Sequence, residues 1–457
     1  MYLRIKLNTY SFLAILCIAF FSLVFTFHFI NWPVHHPFTN DINQYYSYLN
    51  ALFIENDLTF KTNINQYWLI ETPTHHFVPK VTYGMAFFYS PFYLLAKLFL
   101  ISNATGYESV FAWFVHFGCI IYILIGLWFT RKTLLFWFNE VVTSIVILLL
   151  FFGTNLFYYT VSESESVHGI LFCLISVFLH HVIKWSKSNS KLDFLIFILC
   201  AGFICLIRPT ECLVLLFPLL IGVTDKLSMI EKLKRIFSLK WFLILGLLTF
   251  ILPLIPQLIY WKIQSGNFLF FSYGNSEGFF WNDPQIVNVF FSFRKGFLVY
   301  TPIMIFGLIG FYNMYREKNI LFYPSLFYFL INVYLISSWW DWSYGGSFGM
   351  RAFIHCFAIL VVPFAFFINW VVSLYKKSTI KTIAFLFLAF LSVFSCGLNL
   401  LQSNLYKHQI IHFDGMNKEA YMYTFLKKNY TKKELNYLTT LFKSPDYEAR
   451  RKGKRDD

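Results

Sequence analysis

Long apolar segments separated by short polar connections form the main pattern of this chain. Residues 11–30 are typical, because they are apolar and about 20 residues long, the length that an α-helix needs to cross a membrane. The repetition of such segments predicts an all-α polytopic membrane protein. The later segments predicted to cross the membrane are 106–130, 141–158, 167–184, 192–207, 210–223, 241–261, 297–312, 320–337, 352–374 and 383–401.

Residues 81–101 are also apolar, but Ser90-Pro91 interrupts this segment and Lys97 lies near its end. If it crossed the membrane, Arg131 and Lys132 would lie outside and every later basic loop would be inverted. We therefore predict a helix that lies along the outer surface. The other segments then obey the positive-inside rule, under which Lys and Arg concentrate in cytoplasmic loops.

This topology predicts a cytoplasmic N-terminus and a bundle of about 11 transmembrane helices. Residues 31–105 form a large first extracytoplasmic loop that carries juxtamembrane helices. Two domains are predicted: a transmembrane domain, residues 1–401, and a polar, weakly helical tail, residues 402–457, on the extracytoplasmic side. The basic end of the tail departs from the positive-inside rule.

The composition supports a membrane protein and excludes several other classes. Charged residues make up 13% of the chain, whereas soluble domains contain about 25%. The net charge of +14 is expected to face anionic membrane lipids, and the basic residues are too scattered to predict nucleic-acid binding. All eight cysteines lie in apolar segments, so neither a disulfide framework nor a zinc motif is predicted.

An acidic residue followed by tyrosines begins the first outer loop, in the sequence Asn-Asp-Ile-Asn-Gln-Tyr-Tyr-Ser-Tyr. At helical spacing Asp41, Tyr45 and Tyr48 share one face. A carboxylate above aromatic rings at a membrane surface suits proton removal from a sugar hydroxyl, with the rings stacked on the sugar. The alternative, which residue chemistry alone favours, is that Asp41 caps an interfacial helix and the tyrosines belong to an aromatic belt.

Other charged residues fall at the predicted outer ends of the segments, where they are expected to face water or a cavity rather than lipid. The segment Gly345-Gly346-Ser347-Phe348-Gly349-Met350-Arg351 is the most specific of these. Its glycines would let backbone amides approach a phosphate, and Arg351 would bind the phosphate with its forked guanidinium. Anchoring at the membrane surface is the alternative for each cluster, above all for the tryptophans at 339, 340 and 342. The candidate substrate-binding residues are Tyr45, Lys80, Glu163, His168, Arg208, Arg294, Asp341 and Arg351.

Taken in chain order, these features resemble the GT-C superfamily of integral-membrane glycosyltransferases, which includes protein O-mannosyltransferases and lipid A aminoarabinose transferases. The resemblance covers most of residues 1–401. The features that carry it are Asp41 with Tyr45-Tyr46, residues 84–98 with Pro91, Arg208-Pro209, residues 292–302 and residues 339–351.

The resemblance implies a hexosyl- or pentosyltransferase of the bacterial inner membrane that uses a polyprenyl-phosphate sugar donor. The acceptor would be a hydroxyl group of a glycan, lipid or protein. Asp41 would be the catalytic base. Many relatives have a second acid beside it, but Ile42 follows Asp41 here, so Glu165 or Glu163 would supply the second carboxylate. No cofactor is required, and dependence on a divalent metal is left open.

Two other functions remain at this stage. A transporter or flippase of lipid-linked sugars would need ionisable residues near the middle of the membrane, and the predicted segments contain few. A non-catalytic scaffold is not excluded by the sequence. No phosphate-binding P-loop or Rossmann glycine motif is present, so nothing predicts nucleotide chemistry.

Overall fold

Apolar helices make up most of the structure, since a helix satisfies its own backbone hydrogen bonds where no water is present. The computed structural model describes residues 9–34, 37–38, 40–61, 68–99, 105–274, 277–375 and 377–455. The predicted all-α membrane fold is confirmed. In the described residues, the strands are one antiparallel pair, β1 (Leu69–Glu71) and β2 (Phe77–Pro79), and a few isolated bridge residues add to them, such as Phe279 with Trp339.

Helices follow one another closely along the chain, and several are short. A π-helical turn, Ala51–Glu55, follows the second helix, and 3₁₀ turns form at Pro209–Leu215 and Arg351–Phe353. In chain order the α-helices are α1 (Tyr10–Phe29), α2 (Asn40–Asn50), α3 (Gly84–Phe99), α4 (Ser109–Leu134), α5 (Glu140–Phe152), α6 (Leu156–Val161), α7 (Val167–Ser188), α8 (Lys191–Ile207), α9 (Leu216–Leu220), α10 (Lys226–Phe237), α11 (Trp241–Ile251), α12 (Ile255–Ser265), α13 (Ile286–Phe291), α14 (Phe297–Tyr300), α15 (Met304–Arg316), α16 (Phe322–Ser338), α17 (Phe357–Leu374), α18 (Thr379–Lys407), α19 (Lys418–Thr424), α20 (Lys432–Leu441) and α21 (Tyr447–Arg451).

Five of the described helices are long and apolar enough to cross a membrane by themselves, namely α1, α4, α7, α17 and α18. The chain is therefore an integral membrane protein. The bent pair α11–α12 would be a sixth crossing. The count of about 11 crossings stays a prediction, as do the cytoplasmic N-terminus and the surface position of residues 81–101. Those residues contain α3, which has 16 residues and includes Pro91.

Several segments predicted as single crossings are interrupted, and proline accounts for two of the breaks. Residues 241–261 form α11 and α12, which meet at an angle of 54°. Pro253 and Pro256 lie at this break, and proline lacks the N–H group that would continue the helix. Residues 297–312 divide at Pro302 into α14 and α15. Residues 141–158 divide into α5 and α6 on either side of Gly153.

The chain divides into two compact units. Unit 1 comprises the described residues of Met1–Phe29, Leu124–Ser162 and Phe279–Asp457, and unit 2 those of Ile30–Ile123 and Glu163–Gly278. Close helix packing forms the core of each unit. In unit 2 α8 packs against α7 and α11, and in unit 1 α17 packs against α15 and α5. Gly202 and Gly310 permit this close approach. A Cβ atom at Gly202 would collide with the backbone of α11, and one at Gly310 would collide with the backbone of α17.

The C-terminal residues pack within unit 1. Arg450, on α21, is fully buried, and its Nη1 lies 2.7 Å from Oδ1 of Asp341. Arg455 donates to the backbone carbonyl groups of residues 337–339 at 3.0–3.2 Å. The predicted weak helicity of residues 402–457 takes the form of three short helices, α19 to α21. The assignment of this tail as a separate extracytoplasmic domain stays a prediction.

The buried ion pair predicts that the tail stabilises unit 1. Replacing Arg450 by Met leaves the Asp341 carboxylate buried without its cation, which typically costs about 3–5 kcal/mol. We expect a clear drop in the thermal unfolding midpoint of the detergent-solubilised protein. Arg451→Met is the matched control, because Arg451 lies on the same short helix but is exposed above the Trp340 ring. Equal midpoints for the two variants would show that the pair contributes nothing.

Candidate functional site

Asp41 lies in the first turn of α2 with an exposed side chain. The predicted helical spacing is confirmed, since Asp41, Tyr45 and Tyr48 lie on this one helix. The tyrosines have different surroundings. Tyr46 and Tyr48 are buried and donate their hydroxyl hydrogens to backbone carbonyl groups at 2.6 and 2.9 Å, so both are part of the framework. Tyr45 is partly exposed, so its ring is the best placed of the three tyrosine rings to contact a ligand.

Glu165 is buried beside His116 of α4. Its Oε1 lies 2.7 Å from the Nδ1 of His116, and the two side chains are 1% and 0% exposed. The Ser164 hydroxyl donates to the backbone carbonyl of His116 and lies 2.9 Å from the same Nδ1. The hydroxyl hydrogen of Ser164 is directed at that carbonyl, so the Nδ1 of His116 remains for the contact with Glu165. The imidazole thus fixes the orientation of the carboxylate.

Three other candidate residues of unit 2 are Tyr45, Glu163 and His168. The Tyr89 hydroxyl donates to the backbone carbonyl of Glu165, and Tyr89 also lies within electrostatic range of Tyr45. Tyr45 and Glu165 therefore belong to one region. His168 is buried in the first turn of α7, and Glu163, just before that helix, is half-buried.

The two predicted cations of unit 2 have acidic neighbours. The Nζ of Lys80 lies 3.0 Å from Oε1 of Glu277, and both side chains are mostly buried. The Nε of Arg208 lies 3.9 Å from Oε1 of the buried Glu211. These carboxylates offset the positive charge that either cation would offer to a phosphate, more strongly for Lys80 because its contact is shorter.

Unit 1 contains a second polar cluster, centred on Lys295. This side chain is 1% exposed, and its Nζ donates to the backbone carbonyls of Ser347 and Phe413. Burial lowers the pKa of Lys295 to about 7, and Arg351 acts in the same direction. A neutral amine has two N–H groups, which matches the two carbonyls.

Three predicted residues interact electrostatically with Lys295, namely Arg294, Asp341 and Arg351. Arg294 is buried and donates to the carbonyls of Asp414 and Lys443 at 2.5 and 2.9 Å. Arg351 begins a 3₁₀ turn and is half-buried. Arg294, Asp341 and Arg351 therefore lie within electrostatic range of one buried lysine, and Arg294 is bound to backbone carbonyls.

The glycine-rich segment uses its backbone amides differently from the prediction. Gly345 N–H donates to Oδ2 of Asp341 at 2.7 Å, Ser347 N–H to the Phe413 carbonyl at 3.2 Å, and Phe348 N–H to the Tyr159 hydroxyl at 3.1 Å. These three amides stabilise the loop and are not directed at a ligand. The glycines at 345 and 349 instead provide positive φ angles of 63° and 59°.

Asp341 likewise binds groups of its own chain. Oδ1 contacts Nη1 of Arg450 and the hydroxyl of Ser343, each at 2.7 Å, while Oδ2 accepts from Gly345. Both carboxylate oxygens therefore hold the segment from Trp339 to Arg351 in its conformation. This geometry favours a positioning role over the direct substrate contact predicted from sequence.

Comparison with solved structures identifies the architecture. Three examples have a TM-score of 0.54. The oligosaccharyltransferase of Archaeoglobus fulgidus in its apo form is 13% identical and is matched over 97% of this chain and 61% of its own. ArnT from Cupriavidus metallidurans, also apo, is 14% identical over 90% of this chain and 70% of its own. The Archaeoglobus fulgidus oligosaccharyltransferase AglB in complex with an inhibitory peptide and a dolichol-phosphate is 12% identical over 94% and 60%.

This chain has the GT-C fold. The fold predicted by resemblance is thus confirmed, while identities of 12–14% establish the fold and not the activity. The chain spans about three fifths of the length of the archaeal oligosaccharyltransferase. No family model and no curated protein matches the sequence.

The sequence leaves dependence on a divalent metal undecided, and the arrangement of the candidate metal ligands in the structure bears on this question. Throughout the described ranges, no group of three or more His, Cys, Asp or Glu side chains is arranged to hold a metal ion. Glu165, the proposed second carboxylate, is bound to His116 instead. These residues do not fit a metal centre, and we derive no catalytic step through one.

Two notable residues of this chain were not among the candidate site residues predicted from the sequence. His116 lies inside a predicted crossing, and an ionisable residue within an apolar segment is itself a signal of a functional or paired group. Lys295 directly follows Arg294, which is a predicted candidate. The burial of Lys295 depends on Ser347 and Phe413, which are remote in sequence. Only the first of these could have been found from the sequence.

The lowered pKa of Lys295 predicts a pH-dependent stability. Between pH 7 and about 10 the unfolded chain holds a proton at this lysine that the folded chain has lost, so stability rises with pH by up to about 1.4 kcal/mol per unit. Below pH 7 both states are protonated and the contribution is constant. We expect the unfolding midpoint of the wild type, relative to Lys295→Met, to rise from pH 7 to 9.5.

Thermal unfolding in detergent at several pH values measures this difference. Lys418→Met is the control, because Lys418 is exposed on α19 and its replacement should leave the wild-type pH profile unchanged. Parallel profiles for wild type and Lys295→Met would contradict the assignment.

Proposed function

We propose that the protein is a membrane glycosyltransferase that moves a sugar from a polyprenyl-phosphate donor to an acceptor hydroxyl on the outer face of the membrane. The observation that carries the proposal is the GT-C fold, shared over 90% or more of this chain with an oligosaccharyltransferase and with ArnT. The dolichol-phosphate in the AglB complex supports a lipid-linked donor. The proposal includes hexosyl or pentosyl donors, glycan, lipid or protein acceptors, and a location in the bacterial inner membrane.

In the proposed reaction the oxygen of the acceptor hydroxyl attacks the anomeric carbon of the donor sugar. A new glycosidic bond forms, and the bond between that carbon and the phosphate oxygen breaks. The electron pair of the broken bond leaves with the polyprenyl phosphate, and the hydroxyl proton passes to a general base. The balance needs neither ATP nor a redox partner.

Asp41 is the proposed base. Its exposed position at the start of α2 supports this role, because an acceptor approaching from the aqueous side can reach the carboxylate. Tyr45 follows one helical turn later and is the proposed stacking surface for a sugar ring. Glu165 is proposed as the second carboxylate, held in a fixed orientation by His116.

Arg351 is the proposed contact for the donor phosphate. It is half-buried, begins a 3₁₀ turn and ends the glycine-rich segment that the sequence predicts to bind phosphate. A guanidinium can form two parallel hydrogen bonds to a phosphate, and it stabilises charge that grows on the leaving group.

Asp41→Asn tests the base. The amide keeps the shape and polarity of the side chain but cannot accept the proton, so we expect a loss of about 10²–10⁴-fold in the rate of sugar transfer. The assay is transfer from a polyprenyl-phosphate sugar in reconstituted vesicles. Glu71→Gln is the control, since Glu71 is an exposed carboxylate in the same predicted outer loop. A folded Asp41→Asn protein with full activity would favour the helix-cap role for this residue.

Arg351→Gln tests the phosphate contact. Because the phosphate is present before reaction, we expect a raised KM for the donor and a smaller change in kcat. Arg316→Gln is the control, because Arg316 is an exposed arginine of the same unit, bonded to the Tyr312 hydroxyl at 3.1 Å. A donor KM equal to that of the control would remove Arg351 from the donor site.

A further inference from the structure

An apolar crevice of about 390 Å³ lies within unit 2, where α7 ends and α8 and α11 begin. Its size is within the range of ordinary ligand pockets, about 300–1,000 Å³. Every residue that lines it is apolar, and Trp185, Phe194, Phe197, Leu243, Leu247 and Phe250 are among them. These walls are almost entirely hydrocarbon and aromatic surface, which fits a hydrocarbon chain.

Helix α10 lies beside this crevice, to which it contributes Ile236. The helix is amphipathic, with four basic residues and an exposed apolar face at helical spacing formed by Leu227, Ile230, Leu233 and Phe237. A helix of this composition lies in the interfacial layer of a membrane, with its apolar side toward the acyl chains. We therefore expect the crevice to lie next to phospholipid.

Two cations cover Trp185, which also lines the crevice. The Nζ of Lys232 lies 5.3 Å and the Cζ of Arg235 lies 5.2 Å from the centre of the indole ring. Arg235 donates to the backbone carbonyls of Trp185 and Ser186 at the end of α7. Among the residues that the structure describes, no carboxylate forms an ion pair with either cation.

Placing the buried cation of Lys232 next to Arg235 is energetically unfavourable. Lys232 is only 7% exposed, and desolvation together with the charge of Arg235 lowers the pKa of Lys232 to about 8. An anion bound at this point would offset the repulsion between the two cations and hold Lys232 in its charged form.

We propose that the crevice binds an anionic phospholipid, with one acyl chain among α7, α8 and α11 and the phosphate on Lys232, where the guanidinium of Arg235 adds positive charge. Complementary charge selects this occupant, because an uncharged hydrocarbon would satisfy the apolar walls but leave the paired cations without a counter-ion. The proposal does not depend on the glycosyltransferase activity, and it assigns a second lipid site in addition to that of the donor.

Native mass spectrometry of the full-length protein with added phosphatidylglycerol or phosphatidylcholine tests the headgroup. We expect phosphatidylglycerol to be retained at lower concentration than phosphatidylcholine. Lys232→Gln should weaken the binding of phosphatidylglycerol by about fivefold, which is the effect of roughly one basic residue near an anionic headgroup. Lys234→Gln is the matched control on the same helix, since Lys234 is not in contact with Trp185.

Quenching by phosphatidylglycerol with a brominated acyl chain tests the crevice itself. We expect a quenched fluorescence component that is absent from Trp185→Phe and reduced in Leu247→Phe, because the larger, non-indole side chain occupies part of the crevice. Circular dichroism confirms that each variant is folded. Equal retention of the two lipids, or equal weakening by Lys232→Gln and Lys234→Gln, would overturn the proposal.

Discussion

The cost of placing charge in an apolar interior is the constraint on which this structure depends. An unpaired buried charge costs several kcal/mol, so each one needs a partner of opposite charge or hydrogen bonds in fixed positions. Glu165 has His116, Asp341 has Arg450, and Lys295 has two backbone carbonyls. These contacts join segments that are remote in sequence, and they hold loops rigidly where the apolar helices alone would not.

The same constraint distinguishes residues that could act on a substrate from residues that hold the loops in place. Asp341 and Arg294 have the residue types expected of a substrate site, but their polar atoms bind the chain itself, so they position the loops around them. Asp41 has an exposed side chain at the start of α2, where an acceptor in water can reach it. A base for an incoming hydroxyl needs such access, whereas a buried, bonded carboxylate such as Glu165 is better suited to fixing geometry.

The sequence predicted those features that depend on local pattern. The apolar segments indicated an all-α membrane protein, and the spacing of Asp41, Tyr45 and Tyr48 indicated the helix on which they lie. Partnerships across the chain could not be predicted, because nothing near Asp341 points to Arg450, 109 residues later. The glycine-rich segment was noticed from its sequence, but the positive φ angles of Gly345 and Gly349 and the bonds of three of its amides within the chain depend on the folded loop. Its role in phosphate binding stays a prediction.

The central proposal is that this protein with the GT-C fold breaks the bond between a sugar and a polyprenyl phosphate. The direct measurement uses purified protein in vesicles with a donor that carries separate labels on the sugar and on the lipid phosphate. The account predicts one free polyprenyl phosphate for each sugar joined to an acceptor. Donor that crosses the bilayer with both labels still joined, and no glycosylated product, would contradict the account and indicate a flippase.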